Sequence, residues 1–360
     1  MFSEPFSIDG QKFSRTDLLD HAQQGAGAPA QPKWKKKFYS FVLDLLSDDR
    51  PIAQQTSGTT GKPKVFKLDR IAMIRSAGMT ISHFGLRPGD RALLCLPVDY
   101  IAGKMMVVRA FAGQLDLCTT EPAGNPLRDL EQRIDFAAIV PLQVFEAMET
   151  PELVDRFIGT LLIGGGEINN ALRTKLTGLN ETKVFETFAM TETLTHFAAR
   201  RINGPEADAL FRTMEGVTIG QDERGCLTVD VAGITGGTIA TNDLVKINGT
   251  HSFEWLGRYD NVINTGGIKV IPEVLEDKIR ELTAIKNDLV ILAKDDEKLG
   301  QKVILVIEAA DGEIDIVQLR STLKSGLQKH EIYKEIHLIS SFPRNSAMKI
   351  ERRKIKELIS

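Results

Sequence analysis

Apolar positions along the chain follow two alternating patterns. Short unbroken apolar runs at 91–96, 137–140 and 160–163 predict buried strands, and 184–188 predicts a shorter one. Between them, apolar residues recur at helical spacing over 71–84 and 171–176. Earlier, Trp34, Phe38, Phe41, Val42 and Leu45 lie on one face of a helix, and the small-residue stretch 25–32 before them predicts a surface loop. Strand and helix in alternation predict an α/β domain with a largely parallel sheet. From about Gly216 the pattern changes to short strands with Gly-rich turns, at 225–229 and 236–240, which predicts a small β-rich subdomain. The last hundred or so residues read as a separate α+β domain. Helices are expected at 274–282, 316–327 and 350–359, and strands at 289–293, 302–307 and 336–339, the first two strands joined by a charged loop over 294–300. The division is a large N-terminal domain, 1–256, and a C-terminal domain, 257–360.

Composition narrows the picture. Hydrophobic residues make up 42% and charged residues 26%, as in a globular protein with a substantial core. Forty-five basic against 48 acidic side chains leave a net charge of -3, which gives no case for nucleic acid as a partner. Cys95, Cys118 and Cys226 fit no metal-ligand spacing and no disulfide framework, which favours a reducing compartment. No apolar run reaches the roughly 18 residues of a membrane span. The first residues lack the apolar core of a signal peptide, so the expected location is cytoplasmic. Lys33, Lys35, Lys36 and Lys37 read as a solvated helix face or as a phosphate-binding patch.

The most informative stretch is Thr56-Ser57-Gly58-Thr59-Thr60-Gly61-Lys62-Pro63-Lys64. Glycines let backbone N–H groups approach an anion, hydroxyls donate to phosphate oxygens, and lysines supply charge. The spacing is not that of a Walker A loop, because two residues separate the glycines and Pro63 follows Lys62.

That string resembles the phosphate-binding loop of the adenylate-forming superfamily, which includes acyl-CoA synthetases, peptide-synthetase adenylation domains and luciferases. Further motifs match in family order. Phe188-Ala189-Met190-Thr191-Glu192-Thr193 is similar to Tyr-Gly-x-Thr-Glu, with Phe for Tyr and Ala for Gly; taken alone, the segment predicts a helix start. Thr241-Asn242-Asp243-Leu244 resembles Thr-Gly-Asp-Leu. Gly257-Arg258-Tyr259-Asp260 resembles the Gly-Arg-x-Asp hinge, and Thr265-Gly266-Gly267-Ile268-Lys269 the glycine loop after it, a stretch that also reads as a hairpin turn. Pro343-Arg344-Asn345-Ser346-Ala347-Met348-Lys349-Ile350 resembles Pro-Arg-Thr-x-Ser-Gly-Lys-Ile, with Met348 at the glycine. Gly164-Gly165-Gly166, after the strand at 160–163, matches a Gly-rich turn of the family.

The resemblance implies the fold and the chemistry together. The C-terminal domain is expected to be a mobile lid pivoting at Asp260. ATP would be held by Thr56, Ser57, Gly58, Thr59, Thr60, Gly61, Lys62 and Lys64 at its phosphates, by Phe188 and Gly164, Gly165 and Gly166 at adenine, and by Asp243 at the ribose. Arg258 would bind ribose or phosphate, Thr191 phosphate, and Glu192 Mg2+, a hard cation suited to carboxylate and phosphate oxygens. Lys349 would neutralise charge developing at the reacting carboxylate and α-phosphate. Gly266 and Gly267 would face coenzyme A.

The phosphate loop begins nearer the N-terminus than in typical members, so the chain reads as a compact version. It is similar to the abbreviated o-succinylbenzoate–CoA ligases of menaquinone biosynthesis. Leu96-Pro97-Val98-Asp99-Tyr100-Ile101-Ala102-Gly103 resembles their Leu-Pro-x-x-His-x-x-Gly segment, with Tyr100 at the residue that gates the acyl pocket. Lys104 and Arg109 follow, and read either as surface helix charges or as partners for a second carboxylate. The implied activity is an ATP-dependent carboxylate–CoA ligase acting on a small carboxylic acid through an acyl-adenylate. The alternatives are an enzyme for another aryl or fatty acid, one serving a carrier protein, and a non-catalytic nucleotide-binding relative. The sequence leaves the oligomeric state open.

Overall fold

The computed structural model describes residues 2–47, 52–55, 65–166, 168–345 and 349–359. The architecture is mixed α/β. The chain divides into two compact units: residues 1–165, 175–218 and 230–238 form one, and 166–174, 219–229 and 239–360 the other.

The first unit opens with a hairpin of β1 (Phe6–Ile8) and β2 (Gln11–Phe13), then α1 (Arg15–Gly27) and α2 (Lys33–Leu46). Ser14 caps α1 by accepting the Asp17 N–H. The apolar stripe from Phe38 to Leu45 is buried, as its spacing predicts. The loop expected over 25–32 begins later, because Gly25 is helical. A methyl group there would lie 2.3 Å from the Tyr39 ring, so its glycine serves close helix packing rather than a turn. Lys35 lies 3.9 Å from Asp9, and Lys37 pairs with Asp99 at 2.6 Å.

β3 (Ile52–Gln55) and β4 (Val65–Leu68) pair antiparallel, and Thr56 to Lys64, which join them, lie outside the described residues. Next come α3 (Arg70–Phe84), β5 (Arg91–Leu94), α4 (Ile101–Gly113), β6 (Asp116–Thr119), β7 (Ile134–Ile139), α5 (Pro141–Ala147), α6 (Pro151–Phe157) and β8 (Ile158–Ile163). After α7 (Asn170–Thr177) come β9 (Lys183–Ala189), β10 (His196–Arg201) and β11 (Phe211–Thr213). These strands run in the order β11-β10-β9-β8-β7-β5-β6-β1-β2. The stretch from β9 to β6 is parallel, and so is β1 with β6; the two ends, β11-β10-β9 and β1-β2, are antiparallel. α3 is closed by Asp69 at its N-cap and by left-handed Gly85 at its end. Helix α4 is buried almost all round, from Gly103 to Phe111, and Phe6, Phe38, Phe111 and Phe136 belong to the same core.

The chain continues through β12 (Val217–Gln221). In the second unit β13 (Cys226–Val231), β14 (Ile239–Ile247) and β15 (Ser252–Arg258) form an antiparallel meander. A one-turn 3-10 helix (Tyr259–Asn261) follows, then β16 (Ile263–Thr265), β17 (Ile268–Val270), α8 (Pro272–Thr283), β18 (Leu289–Asp296), β19 (Gly300–Glu308), α9 (Ile316–Gly326), β20 (Glu335–Ile339) and α10 (Arg352–Leu358). The charged loop is shorter than expected, because Lys294 pairs with Lys302 and Asp296 with Gly300 across β18 and β19. Ile263, Leu275, Ile279, Leu289, Ile291 and Leu305 belong to the core of this sheet and its helices. Among the described residues, no helix is long and apolar enough to cross a membrane.

Candidate active site

In the first unit, Phe188 lies near the end of β9. It is half-buried, with Phe197 and Phe211 edge-on to it at centroid distances of 5.6 and 5.2 Å. Ala189 is the last residue of the strand and exposed, outside the left-handed region, so its methyl group is accommodated without strain. The following segment is a tight turn rather than the helix start its composition suggests. Thr193 explains this: its buried hydroxyl accepts from the Met190 N–H at 3.2 Å and lies within hydrogen-bond reach of the Met190 and Thr195 carbonyls, at 3.1 and 2.8 Å. Leu194 takes the left-handed conformation at φ 68°. The turn leaves Thr191 and Glu192 exposed at its tip. The Glu192 carboxylate has no hydrogen bond or ion pair among the described residues, which suits one protein oxygen on a cation otherwise held by phosphate.

Gly164 and Gly165 follow β8. A methyl group at Gly164 would meet the Thr187 hydroxyl oxygen at 2.4 Å, and Gly165 sits at φ 79°. Both positions therefore require glycine for packing or conformation. Gly166 is half-buried in the bend after them.

Tyr100 sits at the N-terminus of α4 and is 58% exposed. Gly103, in the first turn of the helix, is required on steric grounds: a methyl group there would lie 2.3 Å from the Pro97 carbonyl oxygen. Lys104 and Arg109 are not surface charges, at 7% and 3% exposure. The Lys104 ammonium donates to the Val98 carbonyl at 2.8 Å and to Gln54 Oε1 at 3.0 Å, so it staples the turn before α4 to β3. Arg109 donates from Nε to the Thr80 hydroxyl at 3.2 Å, and its Nη groups have no acceptor among the described residues. Burial lowers its pKa to about 10, so it remains a cation at neutral pH.

In the second unit the ladder itself places Asp243 opposite Arg258, across β14 and β15. Asp243 is buried and accepts from Trp255 Nε1 at 3.1 Å and Arg258 Nη1 at 3.3 Å. Arg258 also reaches Asp260 at 3.2 Å, and Asp260 is exposed on the short 3-10 helix. Asn242 joins the same group, with its amide 3.3 Å from Asp260 Oδ2 and its carbonyl accepting from Arg224 at 2.9 Å. Arg224 stacks over the Tyr259 ring at 5.1 Å. Sequence reasoning missed Trp255 and Arg224. Neither carries a motif, but both lie within a register step of one that does. Gly257 is fixed sterically, because a methyl group there would lie 2.3 Å from Glu273 Oε2.

Gly266 and Gly267, at φ 60° and 82°, form the two-residue turn between β16 and β17, a turn that needs positive φ at both positions. Lys349 is exposed and lies at the end of a short loop. The loop is closed by the Asn345 N–H donating to the Lys349 carbonyl at 3.0 Å and by the Asn345 side chain accepting the Lys349 N–H at 3.0 Å. Arg344 anchors its base, donating to Asp288 at 2.7 Å and to both oxygens of Glu308. Those carboxylates raise the Arg344 pKa, and Arg344 holds Glu308 below the usual carboxylate range. Ser346 to Met348 lie outside the described residues.

Comparisons with known proteins give the family. Residues 7–222 match the AMP-binding enzyme family. The chain belongs to that family and is an adenylate-forming ligase. It is 27% identical over 330 residues to a probable 2-succinylbenzoate–CoA ligase of Mycobacterium tuberculosis, covering 86% of this chain and 85% of that one. It is 37% identical to the crystal structure of an acyl-CoA synthetase (AMP-forming)/AMP-acid ligase II-like protein from Dyadobacter fermentans, at a TM-score of 0.65 and covering 97% and 99% of the two chains. At 16% identity it shares the fold of E. coli MenE crystallised with an analogue of OSB-AMS, at a TM-score of 0.73 and covering 99% and 95%.

Proposed function

We propose that the chain is an ATP-dependent carboxylate–CoA ligase whose acid is o-succinylbenzoate. The observation that carries the choice of acid is Arg109, a buried cation in the first unit with no carboxylate partner among the described residues. A buried charge is normally paired. A substrate with a second carboxylate supplies the missing anion, and the acid named for the M. tuberculosis relative is such a substrate.

In this reading the substrate carboxylate oxygen attacks the α-phosphorus of ATP and pyrophosphate leaves as the bond to the β-phosphate breaks. Thr56 to Lys64 hold the β- and γ-phosphates, Thr191 contacts phosphate, and Glu192 contributes a carboxylate to Mg2+, whose charge offsets that of the phosphates. Phe188 and Gly164 to Gly166 flank adenine, Asp243 accepts from the ribose hydroxyls, and Arg258 supports ribose or phosphate. Lys349 stabilises the charge of the transition state. In the second half the coenzyme A thiolate attacks the acyl carbon, AMP departs, and the thiol proton passes to solvent. We assign the pivot between the two halves to Asp260, the thiol approach to Gly266 and Gly267, and the mouth of the acyl site to Tyr100.

The test is pyrophosphate release with magnesium ATP and o-succinylbenzoate, with and without coenzyme A. Release that depends on this acid and yields a CoA thioester is the expected outcome. Release only with other acids would discard the substrate, and release passed only to a pantetheinylated carrier would discard the acceptor. Lys349→Ala should lose at least about a hundredfold in adenylation while largely sparing thiolation of supplied acyl-adenylate. Equal loss in both steps would remove Lys349 from its role.

A further inference from the structure

The Arg109 guanidinium is held by a small network of hydroxyls and a histidine that no motif contains. Helix α3 places Ser76 and Thr80 one turn apart on its buried face. The Ser76 hydroxyl meets the Thr195 hydroxyl at 2.5 Å. The Thr80 hydroxyl lies 3.1 Å from the Ser76 carbonyl, 3.2 Å from Arg109 Nε and 3.2 Å from His196 Nε2. A hydroxyl has one proton and two lone pairs. The Ser76 carbonyl can only accept, so it takes the proton. Thr80 then accepts from Arg109 Nε–H and from His196, which fixes the imidazole as the Nε2–H tautomer. His196 is buried and sits opposite Ala189 at the start of β10, beside the turn that carries Thr191 and Glu192.

With Nε occupied, the guanidinium presents only its two Nη groups. They form an end-on fork that matches the two oxygens of a carboxylate. We propose that Thr80, backed by His196, is a positioning residue that sets the preference for a dicarboxylic over a monocarboxylic acid by fixing the orientation of the Arg109 fork. This rests on the reading of Arg109 as the receptor for a second carboxylate. It assigns the discrimination to a residue that does not itself touch the substrate.

The experiment compares o-succinylbenzoate with benzoylpropionate, the same acid without its ring carboxylate, by pyrophosphate release from wild type, Thr80→Val, Thr80→Ser and Arg109→Met. Thr80→Val keeps the shape and removes the acceptor. It should raise KM for o-succinylbenzoate about tenfold, the equivalent of one lost hydrogen-bond constraint. Its kcat should stay within about twofold, benzoylpropionate should be unaffected, and Thr80→Ser should restore wild-type values. Equal losses for both acids, or an unchanged KM for o-succinylbenzoate, would overturn the role of Thr80. If Arg109→Met kept the preference, the reading of Arg109 would fail, and the proposal with it. Should Thr80→Val not fold, nitrogen NMR of His196 in wild type provides the test. An Nε2–H imidazole whose signals move with o-succinylbenzoate but not with benzoylpropionate supports the network. An Nδ1–H tautomer, or an identical response to both acids, overturns it.

Discussion

Arginine is used in opposite ways in the two units. Arg344 and Arg352 in the second unit each meet more than one carboxylate: Asp288 and Glu308 for the former, Glu276 at 2.6 Å and Glu273 at 3.7 Å for the latter. Arg109 in the first unit is more deeply buried and is held by a hydroxyl. The paired arginines tie the strand-and-helix framework to the segment that carries Lys349, and their charges are satisfied within the chain. Arg109 has no carboxylate partner among the described residues, and in the proposed function its anion is the substrate's. On the proposed function, pairing thus separates structural cations from one kept for a ligand, although the residue type is the same.

The largest expected effect tests the paired side. Arg344→Met leaves Asp288 and Glu308 without their shared cation, and should lower unfolding stability by about 2–4 kcal/mol, a buried-pair value discounted for partial exposure. Urea unfolding of the full chain measures it, and a loss below about 0.5 kcal/mol would mean that the network is not structural. The opposite sign is expected for Arg109. Arg109→Met replaces a buried charge that has no carboxylate partner among the described residues with an apolar side chain of similar length, so stability should be unchanged or higher by up to about 2 kcal/mol. Thermal shift by o-succinylbenzoate should be present in wild type and absent in the variant. A strongly destabilised Arg109→Met would show that this cation too has a structural partner. The smallest effect concerns the histidine behind Thr80. Burial, with Arg109 and His83 nearby, holds His196 neutral, with its pKa well below the usual value. The unfolded chain takes up a proton near pH 6.5 and the folded one does not, so stability is full above that pH and falls as the pH drops through it. The slope is at most about 1.4 kcal/mol per pH unit. His196→Gln should flatten the unfolding curve between about pH 7 and 5.5, above the range where carboxylates titrate, and an unchanged slope would assign the acid sensitivity elsewhere.

The sheet strands at 91–96, 137–140 and 160–163 were legible because buried parallel strands read as continuous apolar runs. Helix α4 was not, for the same reason: apolar on nearly every side, it has no periodicity to detect, and its two basic residues read either as surface charges or as carboxylate partners. The glycine of 257 could be placed by motif, yet its cause, the approach of Glu273, is visible only in three dimensions. The Asp243–Arg258 pair was within reach of the sequence, since a hairpin joining the two motifs sets them opposite one another. Thr80 and His196 were not, because each is a common residue on an unremarked helix face or strand start. Their meaning comes from what the fold packs against them.

The position of Arg109 has a consequence for how specificity can change over generations. If Arg109 carries its charge at a loss of stability, as predicted above, its replacement meets no folding barrier. A lineage released from selection for dicarboxylic acids could lose this arginine in one step and remain folded, whereas Arg344 could be lost only together with its acidic neighbours. On the proposed role of Arg109, the acyl preference is then the more freely evolving property, and the anchoring of the lysine-bearing loop the more constrained one.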